Sequence, residues 1–296
     1  MIAAMRSATL LLAAGLSAVL AAAAGCAPTD DDTAAPAAPA GTGSAAACAP
    51  AQLKTVAAGK LTVGTDDPVY PPWFSDNKPD NGQGFEAAVA YAVAEKLGYT
   101  KDQVAWTRVT FNNAIAPGPK TFDFDINEFS ITDERRKAVD FSSPYYDVTQ
   151  TVIALKSSKI AGAKTLADLK GAKLGAQVGT TSYRSITEVV KPTAQPSVYN
   201  NNDDAKKALQ NGQIDGLVVD LPTAFYITGA EITDAVIVGQ LPQTSGTPEQ
   251  FGLVLDKGST LTGCVSGAVD ALRTDGTLKR LQEQWLSATQ GAPTLG

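Results

Sequence analysis

The sequence predicts an α/β protein with two lobes, in each of which a mainly parallel sheet is flanked by helices. Short apolar segments that are typical of buried strands alternate with segments of helical periodicity. The alternation runs in two series, which meet just after Pro144-Tyr145-Tyr146. The chain has 296 residues, 44% of them hydrophobic, which is enough for two cores. Because alternating strands and helices pack as a parallel sheet covered by helices, each series is predicted to form its own sheet.

The first series contains three predicted strands and one long helix. The strands are predicted at residues 61–63, 104–109 and 122–126. After Gly84, apolar side chains recur three or four residues apart, and the helix that they predict ends at Gly98. A shorter helical segment before the third strand is closed by Pro117-Gly-Pro119.

The second series is predicted to add three strands with helices between them, before the chain closes with one strand and two helices. The strands are predicted at residues 151–155, 173–178, 216–220 and 251–255. Helices are predicted at residues 165–170 and 203–211, from Ser182 and from Pro222. The two closing helices each have one apolar face, with Val265, Val269 and Leu272 on the first and Leu278, Leu281 and Trp285 on the second.

Composition excludes several classes of function. The sequence has no histidine, which removes the Ser-His and Cys-His nucleophile pairs and imidazole metal sites. The formal net charge is -6 and there is no basic stripe, so nucleic acid is not an expected partner. The three cysteines, Cys26, Cys48 and Cys264, are too few and too scattered for a zinc ribbon or an iron–sulfur cluster. We therefore expect neither a cofactor nor a metal.

The N-terminal residues have the pattern of an export signal. Residues 1–25 are the predicted signal peptide, because Arg6 precedes an uncharged apolar segment that ends in small residues. Ala23-Ala-Gly-Cys26 resembles the bacterial lipobox, although that motif more often begins with leucine, and the resemblance implies lipidation of Cys26. An uncleaved membrane anchor is the alternative, since the segment is close to the ~20 residues that span a bilayer. Residues 26–47 lack aromatic and large aliphatic side chains and are predicted to be a disordered tether with a reach of roughly 25 Å.

Three polar groups follow predicted strands. Arg135 ends the segment Ser130-Ile-Thr-Asp-Glu-Arg135; its planar guanidinium can bind a carboxylate through two parallel hydrogen bonds, or it is an ordinary surface arginine at a helix start. Val178-Gly-Thr-Thr-Ser182 lies between a strand and a helix, where its N–H groups face an anion or simply begin the helix. Asp220 ends an apolar strand, where a carboxylate needs a partner; capping of the next helix is the alternative role.

Six groups of residues, in this order, carry a resemblance. They are Leu61-Thr-Val-Gly-Thr-Asp66 with Tyr70-Pro-Pro-Trp73; Gly84-Phe85 with Ala94-Glu-Lys-Leu-Gly98; Ser130-Ile-Thr-Asp-Glu-Arg135 with Val139-Asp-Phe-Ser-Ser-Pro-Tyr-Tyr146; Asp168-Leu-Lys-Gly171 with Val178-Gly-Thr-Thr181; Val219-Asp220; and Leu272-Arg-Thr-Asp-Gly-Thr277 with Trp285. Together they resemble the periplasmic amino-acid-binding proteins of ABC importers, solute-binding protein family 3, over residues 50–290. The resemblance implies the periplasmic-binding-protein type II fold, whose two lobes are joined by two crossing strands, here near residues 147–151 and 245–250.

The resemblance also sets the expected domains and one covalent link. Lobe 1 is expected to comprise residues 48–149 and 249–290, lobe 2 residues 150–248, and a tail residues 291–296. The family returns the closing helices to lobe 1, which would place Cys48 and Cys264 on the same lobe. A Cys48–Cys264 disulfide is therefore expected, and an extracytoplasmic location permits one. Two buried, unpaired cysteines are the alternative.

The resemblance further implies a role for each candidate residue. Arg135 corresponds to the arginine that clamps the α-carboxylate of the ligand, and Asp220 to the aspartate that holds the α-ammonium. The remaining expected ligand-binding residues are Ser130, Thr132, Thr181, Asp66 and Tyr70, with hydroxyls lining the cleft, Asp66 assisting the ammonium and Tyr70 packing on the ligand side chain.

Glu128 departs from the pattern, because the family usually has a small residue there. If Glu128, Asp66 and Asp220 all face the cleft, three carboxylates oppose Arg135, which favours a ligand with an extra positive charge. A solvated or locally paired Glu128 is the alternative, and an inward-pointing Arg184 would cancel the excess of negative charge.

These observations predict a binding protein rather than an enzyme. It would capture an amino acid by closure of the two lobes and deliver it to an ABC transporter permease. We expect a monomer, held by its lipid anchor at the outer face of the cell membrane. Two alternatives are an enzyme on the same fold, similar to cyclohexadienyl dehydratase and using Glu128 as acid or base, and a sensory ligand-binding protein. The sensory class is not expected, because the 296 residues contain no second spanning segment.

Overall fold

The computed structural model describes residues 48–243, 246–287 and 291–296, and these form two lobes, each built on a five-stranded sheet. The strands, in chain order, are β1 (Leu61–Thr65), β2 (Val104–Arg108), β3 (Phe124–Asp125), β4 (Val139–Val148), β5 (Gln150–Leu155), β6 (Leu174–Gln177), β7 (Ser197–Tyr199), β8 (Gly216–Asp220), β9 (Ala235–Gln240) and β10 (Glu249–Asp256). Their spatial order is β2-β1-β3-β10-β4 in lobe 1 and β7-β6-β8-β5-β9 in lobe 2.

Seven α-helices flank these sheets in the described part of the chain. They are α1 (Phe85–Lys96), α2 (Phe111–Ile115), α3 (Thr181–Ser185), α4 (Asn202–Gln210), α5 (Leu221–Tyr226), α6 (Thr262–Thr274) and α7 (Thr277–Trp285). Helix α1 follows the predicted spacing, with Phe85, Val89 and Val93 fully buried against lobe 1. The short helix predicted at residues 165–170 is a single 3₁₀ turn, Leu166–Leu169.

The two-lobed α/β class is confirmed, but each sheet is mixed rather than mainly parallel. Strand β1 pairs in parallel with β2 and β3, whereas β10 runs antiparallel to β3 and β4. In the second sheet β6 is parallel to β7 and β8, and β5 is antiparallel to β8 and β9. The antiparallel strands β5 and β10 are the ones that enter a lobe from the other lobe. A strand that enters without a crossover helix has no need to run parallel to its neighbours.

The chain passes between the lobes at two adjoining places. It leaves lobe 1 where β4 ends at Val148 and enters lobe 2 where β5 begins at Gln150. It returns between Gln240, the last residue of β9, and Glu249, the first residue of β10. The starts of β5 and β10 therefore lie where the two lobes are connected. Any rotation of one lobe relative to the other must take place about these connections.

The C-terminal residues make a third connection. Helix α7 packs in the lobe 1 core through Leu278, but residues 292–296 lie along β9 in lobe 2. The Gln240 N–H donates to Pro293 O (2.7 Å), and the Leu295 N–H donates back to Gln240 O (2.9 Å). Leu295 is buried. The segment expected to be a tail thus makes an isolated β-bridge to lobe 2, between Thr294 and Gln240 at the end of β9.

Cys48 and Cys264 form the expected disulfide. Their Cα atoms are 5.4 Å apart, and the bond joins the start of the described chain to helix α6 across 216 residues of sequence. Closing a loop of that length restricts the unfolded chain and contributes about 5 kcal/mol in the chain-entropy model.

Two predictions on the N-terminal part lie outside the described residues. They are the signal peptide at residues 1–25 and the tether at residues 26–47, together with the lipidation site Cys26. Within the described ranges, no helix combines the length and the apolar character needed to cross a bilayer.

We expect Cys264→Ser to lower the free energy of unfolding by about 2–5 kcal/mol, because the loss of the cross-link frees the unfolded chain. Denaturant unfolding of the two proteins measures the difference. Cys48→Ser is the matched control and should give the same decrease, with no further loss in the double variant. Free thiols at both positions in the unreduced wild-type protein would contradict the assignment.

Candidate functional site

A cavity of about 250 Å³ lies between the two lobes. It is lined by strand ends, loops and helix starts from both sheets: Asp66, Asp67, Pro68, Tyr70, Thr110, Phe111, Asn112, Asn127, Glu128, Arg135, Gln150, Gln177, Thr180, Thr181, Ser182, Asn200, Asn201, Asn202, Val219, Asp220 and Phe251. Pockets for drug-sized ligands have roughly 300–1,000 Å³. The size and the polar lining indicate a small polar ligand.

Six of the eight predicted ligand-binding residues line this cavity, and two do not. Asp66, Tyr70, Glu128, Arg135, Thr181 and Asp220 are brought together from both lobes. Ser130 and Thr132 are not part of the lining. The Ser130 hydroxyl donates to Glu249 (2.5 Å), and Thr132 Oγ1 accepts the Arg135 N–H (3.2 Å). In this cavity, each of these two side chains instead serves the local structure around Arg135.

Arg135 is a buried cation, not a surface residue, with 9% of its area exposed. Its Nη1 donates to Ser130 O in the same lobe (2.7 Å) and its Nη2 to Gly179 O in the other (2.9 Å). The guanidinium carbon lies 5.3 Å from the centre of the Phe111 ring. Burial lowers the pKa of Arg135 to about 10, so the group remains charged at neutral pH. Two of its five N–H donors are used by these carbonyls, and the others remain able to bind a carboxylate.

The lobes are in close contact around Arg135. Gly179 has φ +77° and lies against Asn112 of lobe 1, where an added Cβ would be 2.4 Å from Asn112 Oδ1. On the other side of the cavity, Trp73 Nε1 in lobe 1 donates to Thr223 Oγ1 in lobe 2 (2.8 Å). These contacts describe a cleft that is closed.

Asp220 caps a helix, as its sequence position allowed, and it also lines the cavity. It is the last residue of β8, and its Oδ1 accepts the Thr223 N–H (2.9 Å), which caps helix α5. Its carboxyl group also lines the cavity from lobe 2, where Glu128 approaches it from lobe 1. The two carboxyl groups are within hydrogen-bonding reach of each other.

Glu128 faces the cavity because its backbone is held in an unusual conformation. It has φ +54°, in the left-handed region that is unfavourable for residues other than glycine. The Glu128 N–H donates to Glu86 Oε1 (2.7 Å), and the same oxygen accepts a hydrogen bond from the Tyr145 hydroxyl. Glu86, in the first turn of α1, thereby holds the turn that directs the Glu128 carboxyl towards Asp220. A solvated Glu128 is not what the structure shows.

Burial raises the pKa of several carboxyl groups in and around this cavity. The pKa of Glu86 is raised to about 8, and those of Glu128, Asp220 and Asp125 are also raised. Asp125 on β3 is fully buried with neither carboxyl oxygen hydrogen-bonded, and it lies against Gly64, where a Cβ would be 2.3 Å from its Oδ2. A site crowded with carboxyl groups takes up protons readily and favours a cation.

The far end of the cavity is also polar. Asp66 accepts the N–H groups of Asp67 (2.7 Å) and Phe111 (3.2 Å), and burial raises its pKa. The Lys206 ammonium lies 4.7 Å from the centre of the Tyr70 ring on the side of lobe 2. This ammonium is paired with Asp203 and Glu231, so its charge is already compensated.

Sequence reasoning missed the amides at this end of the cavity. Asn200, Asn201 and Asn202 form a run of three asparagines from the end of β7 to the first residue of α4, and that run was the available signal. Arg184, which would have cancelled the excess negative charge, does not line the cavity and lies 3.9 Å from Glu188. The described ranges contain no group of three or more His, Cys, Asp or Glu side chains arranged to hold a metal.

Comparisons with known proteins agree with the geometry. The bacterial extracellular solute-binding proteins, family 3, match residues 61–288. The L-arginine-binding protein of Pseudomonas aeruginosa is 32% identical, over 79% of this chain and 91% of the relative. The ABC transporter arginine-binding protein 1 of Escherichia coli is 30% identical, over 77% and 91% of the two chains.

A solved structure of an ancestral arginine-binding protein bound to arginine is also similar. It is 34% identical to this chain, with a TM-score of 0.63, and the match covers 77% of this chain and 98% of the other. The family match spans both lobes and the whole cavity. The chain belongs to the bacterial extracellular solute-binding proteins, family 3.

Proposed function

We propose that this protein captures an amino acid with a cationic side chain in the cleft between its lobes and delivers it to an ABC importer. One observation carries the proposal: a buried guanidinium from lobe 1, Arg135, and a carboxyl group from lobe 2, Asp220, line one closed cavity. An α-amino acid has a carboxylate and an ammonium next to each other, and both must lose water on binding. A fixed cation and a fixed anion on opposite lobes satisfy both groups only when the cleft is closed.

The charge balance of the cavity supports a cationic side chain. Its lining contains Asp66, Asp67, Glu128 and Asp220 but only Arg135 as a cation. After one carboxylate and one ammonium are paired, the surplus is acidic. Two relatives named above are arginine-binding proteins, in agreement with this surplus. Other relatives are named for cystine and glutamine, so the family fold alone does not select the ligand.

The proposed location is the outer face of the cell membrane. The apolar segment before Cys26 and the tether at residues 26–47 support a lipid anchor that keeps a monomeric binding protein close to its permease. The permease is expected to recognise the closed, ligand-bound arrangement of the two lobes.

Glu128 gives one reason to keep an enzyme as the second candidate. Burial raises its pKa, and it lines a cavity that also contains a guanidinium. A similar solved structure is that of an ancestral amino acid-binding protein, AncCDT-1, a precursor of cyclohexadienyl dehydratase (33% identity, TM-score 0.62, 77% of this chain and 95% of the other). Incubation with prephenate or arogenate should give no product if the binding role is correct.

We expect arginine, lysine or ornithine to bind at least about tenfold tighter than glutamate or glutamine, because the surplus carboxyl groups favour a second positive charge. A thermal-shift screen of the common amino acids, followed by calorimetry, measures the order. Preference for an acidic amino acid would overturn the assignment of a cationic ligand.

Loss of either fixed charge should weaken binding by about 10²–10³-fold, because the ligand group opposite it is then buried without a partner. Asp220→Asn tests the ammonium contact specifically, since asparagine caps a helix as well as aspartate does. Arg135→Gln tests the carboxylate contact. The exposed neighbour Arg136→Gln is the matched control and should bind as the wild type does. Unchanged affinity in Asp220→Asn would contradict the proposed role of Asp220.

Affinity for a cationic amino acid should rise as pH increases from 5 to 7. The raised pKa of Glu128 and Asp220 means that the ligand-free pair holds protons at low pH, and a bound ammonium favours the ionised pair. Binding therefore releases protons, which calorimetry in buffers of different ionisation enthalpy counts directly. Glu128→Gln should flatten the pH dependence. A pH-independent affinity in the wild type would show that the pair does not exchange protons with the ligand.

A further inference from the structure

Glu249 joins the two lobes behind the cavity. One of its oxygens, Oε1, accepts hydrogen bonds from the hydroxyls of Ser130 in lobe 1 (2.5 Å) and Thr181 in lobe 2 (2.6 Å). The same oxygen accepts a third bond from Gln150 Nε2 in lobe 2 (3.1 Å). Glu249 is the first residue of β10, where the chain re-enters lobe 1. It does not line the cavity.

The surrounding side chains fix the direction of these bonds. Ser182 Oγ donates to Gln150 Oε1 (2.7 Å), so the amide of Gln150 must present its NH₂ group to Glu249. A hydroxyl has only one hydrogen, and those of Ser130 and Thr181 are both directed at the carboxylate. The Ser130 and Thr181 oxygens are 3.0 Å apart, so the carboxylate closes a ring of polar groups that spans the boundary between the lobes.

Glu249 also acts on the buried guanidinium. Burial lowers the pKa of Arg135, and among the neighbouring charges that of Glu249 has the largest opposing effect. Arg135 itself donates across the boundary to Gly179 O. The carboxylate of Glu249 therefore acts on a cation of the cavity lining that donates from lobe 1 to lobe 2.

We infer that Glu249 is a positioning residue that latches the lobes in the closed arrangement and so sets how long the ligand is retained. The inference rests on the proposed function, which supplies the ligand. Its bond to Ser130 and its bonds to Thr181 and Gln150 act on different lobes, so a rotation that separates Ser130 from Thr181 breaks at least one of them. Hydrogen bonds to a charged acceptor are the stronger kind, and three of them meet here.

Glu249→Gln is the decisive variant, because it keeps the shape of the side chain and removes its charge. The dissociation rate of a bound cationic amino acid, measured by stopped-flow fluorescence, should rise about tenfold or more. The ligand-free variant should also have a larger radius of gyration in small-angle X-ray scattering than the wild type. Glu283→Gln, on the exposed face of α7 and paired only with Lys279, removes the same charge and should change neither quantity.

Ser130→Ala provides a second, independent arm. It removes the lobe 1 hydroxyl that donates to Glu249 and should also speed dissociation of the ligand. The double variant should dissociate little faster than either single variant, because both changes break the same contact. If Glu249→Gln fails to fold, Ser130→Ala still tests the latch.

The outcomes separate this inference from the proposed function. Equal dissociation rates and equal radii for wild type and both variants would overturn the latch while leaving amino-acid capture intact. Tighter binding by Glu249→Gln with no faster dissociation would assign Glu249 to charge balance alone and would also overturn it. If no amino acid binds the wild type, the proposed function fails, and the radii of the ligand-free proteins still test the latch.

Discussion

The arrangement of the cleft depends on one buried cation. Arg135 has left water almost completely, and it is satisfied by two backbone carbonyls, one from each lobe, and by the nearby charge of Glu249. Carbonyl oxygens stabilise a guanidinium less than a carboxylate does. The guanidinium is therefore anchored by both lobes and still has donors for an anion. That combination supports the proposed binding of a ligand with a carboxylate.

The acidic groups around Asp220 supply negative charge to the same cavity. Glu86 is buried beneath the cavity and holds Glu128 in its left-handed conformation, and burial raises the pKa of several carboxyl groups there. Protonation of some of these carboxyl groups reduces the repulsion between them, and a cation that takes the place of the protons reduces it in the same way. The same crowding supports the proposed preference for a ligand that carries positive charge.

Local patterns predicted the residues whose role depends on their own segment. Asp220 stands at a strand end and Arg135 in the 3₁₀ turn Arg135–Lys137, both within recognisable motifs, and the helical spacing after Gly84 gave α1 closely. Glu249 and the true partners of Ser130 could not be predicted, because Glu249 lies 119 residues from Ser130 and 68 from Thr181 along the chain. Strand direction was also missed for β5 and β10, since apolar periodicity does not report which way a strand runs.

The C-terminal pairing with β9 has a practical consequence. Cys48 is tied by its disulfide to α6 on lobe 1, whereas Leu295 and Gly296 are hydrogen-bonded into lobe 2. The two ends of the folded body therefore belong to different lobes. Donor and acceptor dyes attached at these ends would change their separation whenever one lobe moves relative to the other. Energy transfer between them would therefore report opening and closing of the cleft without internal labelling sites.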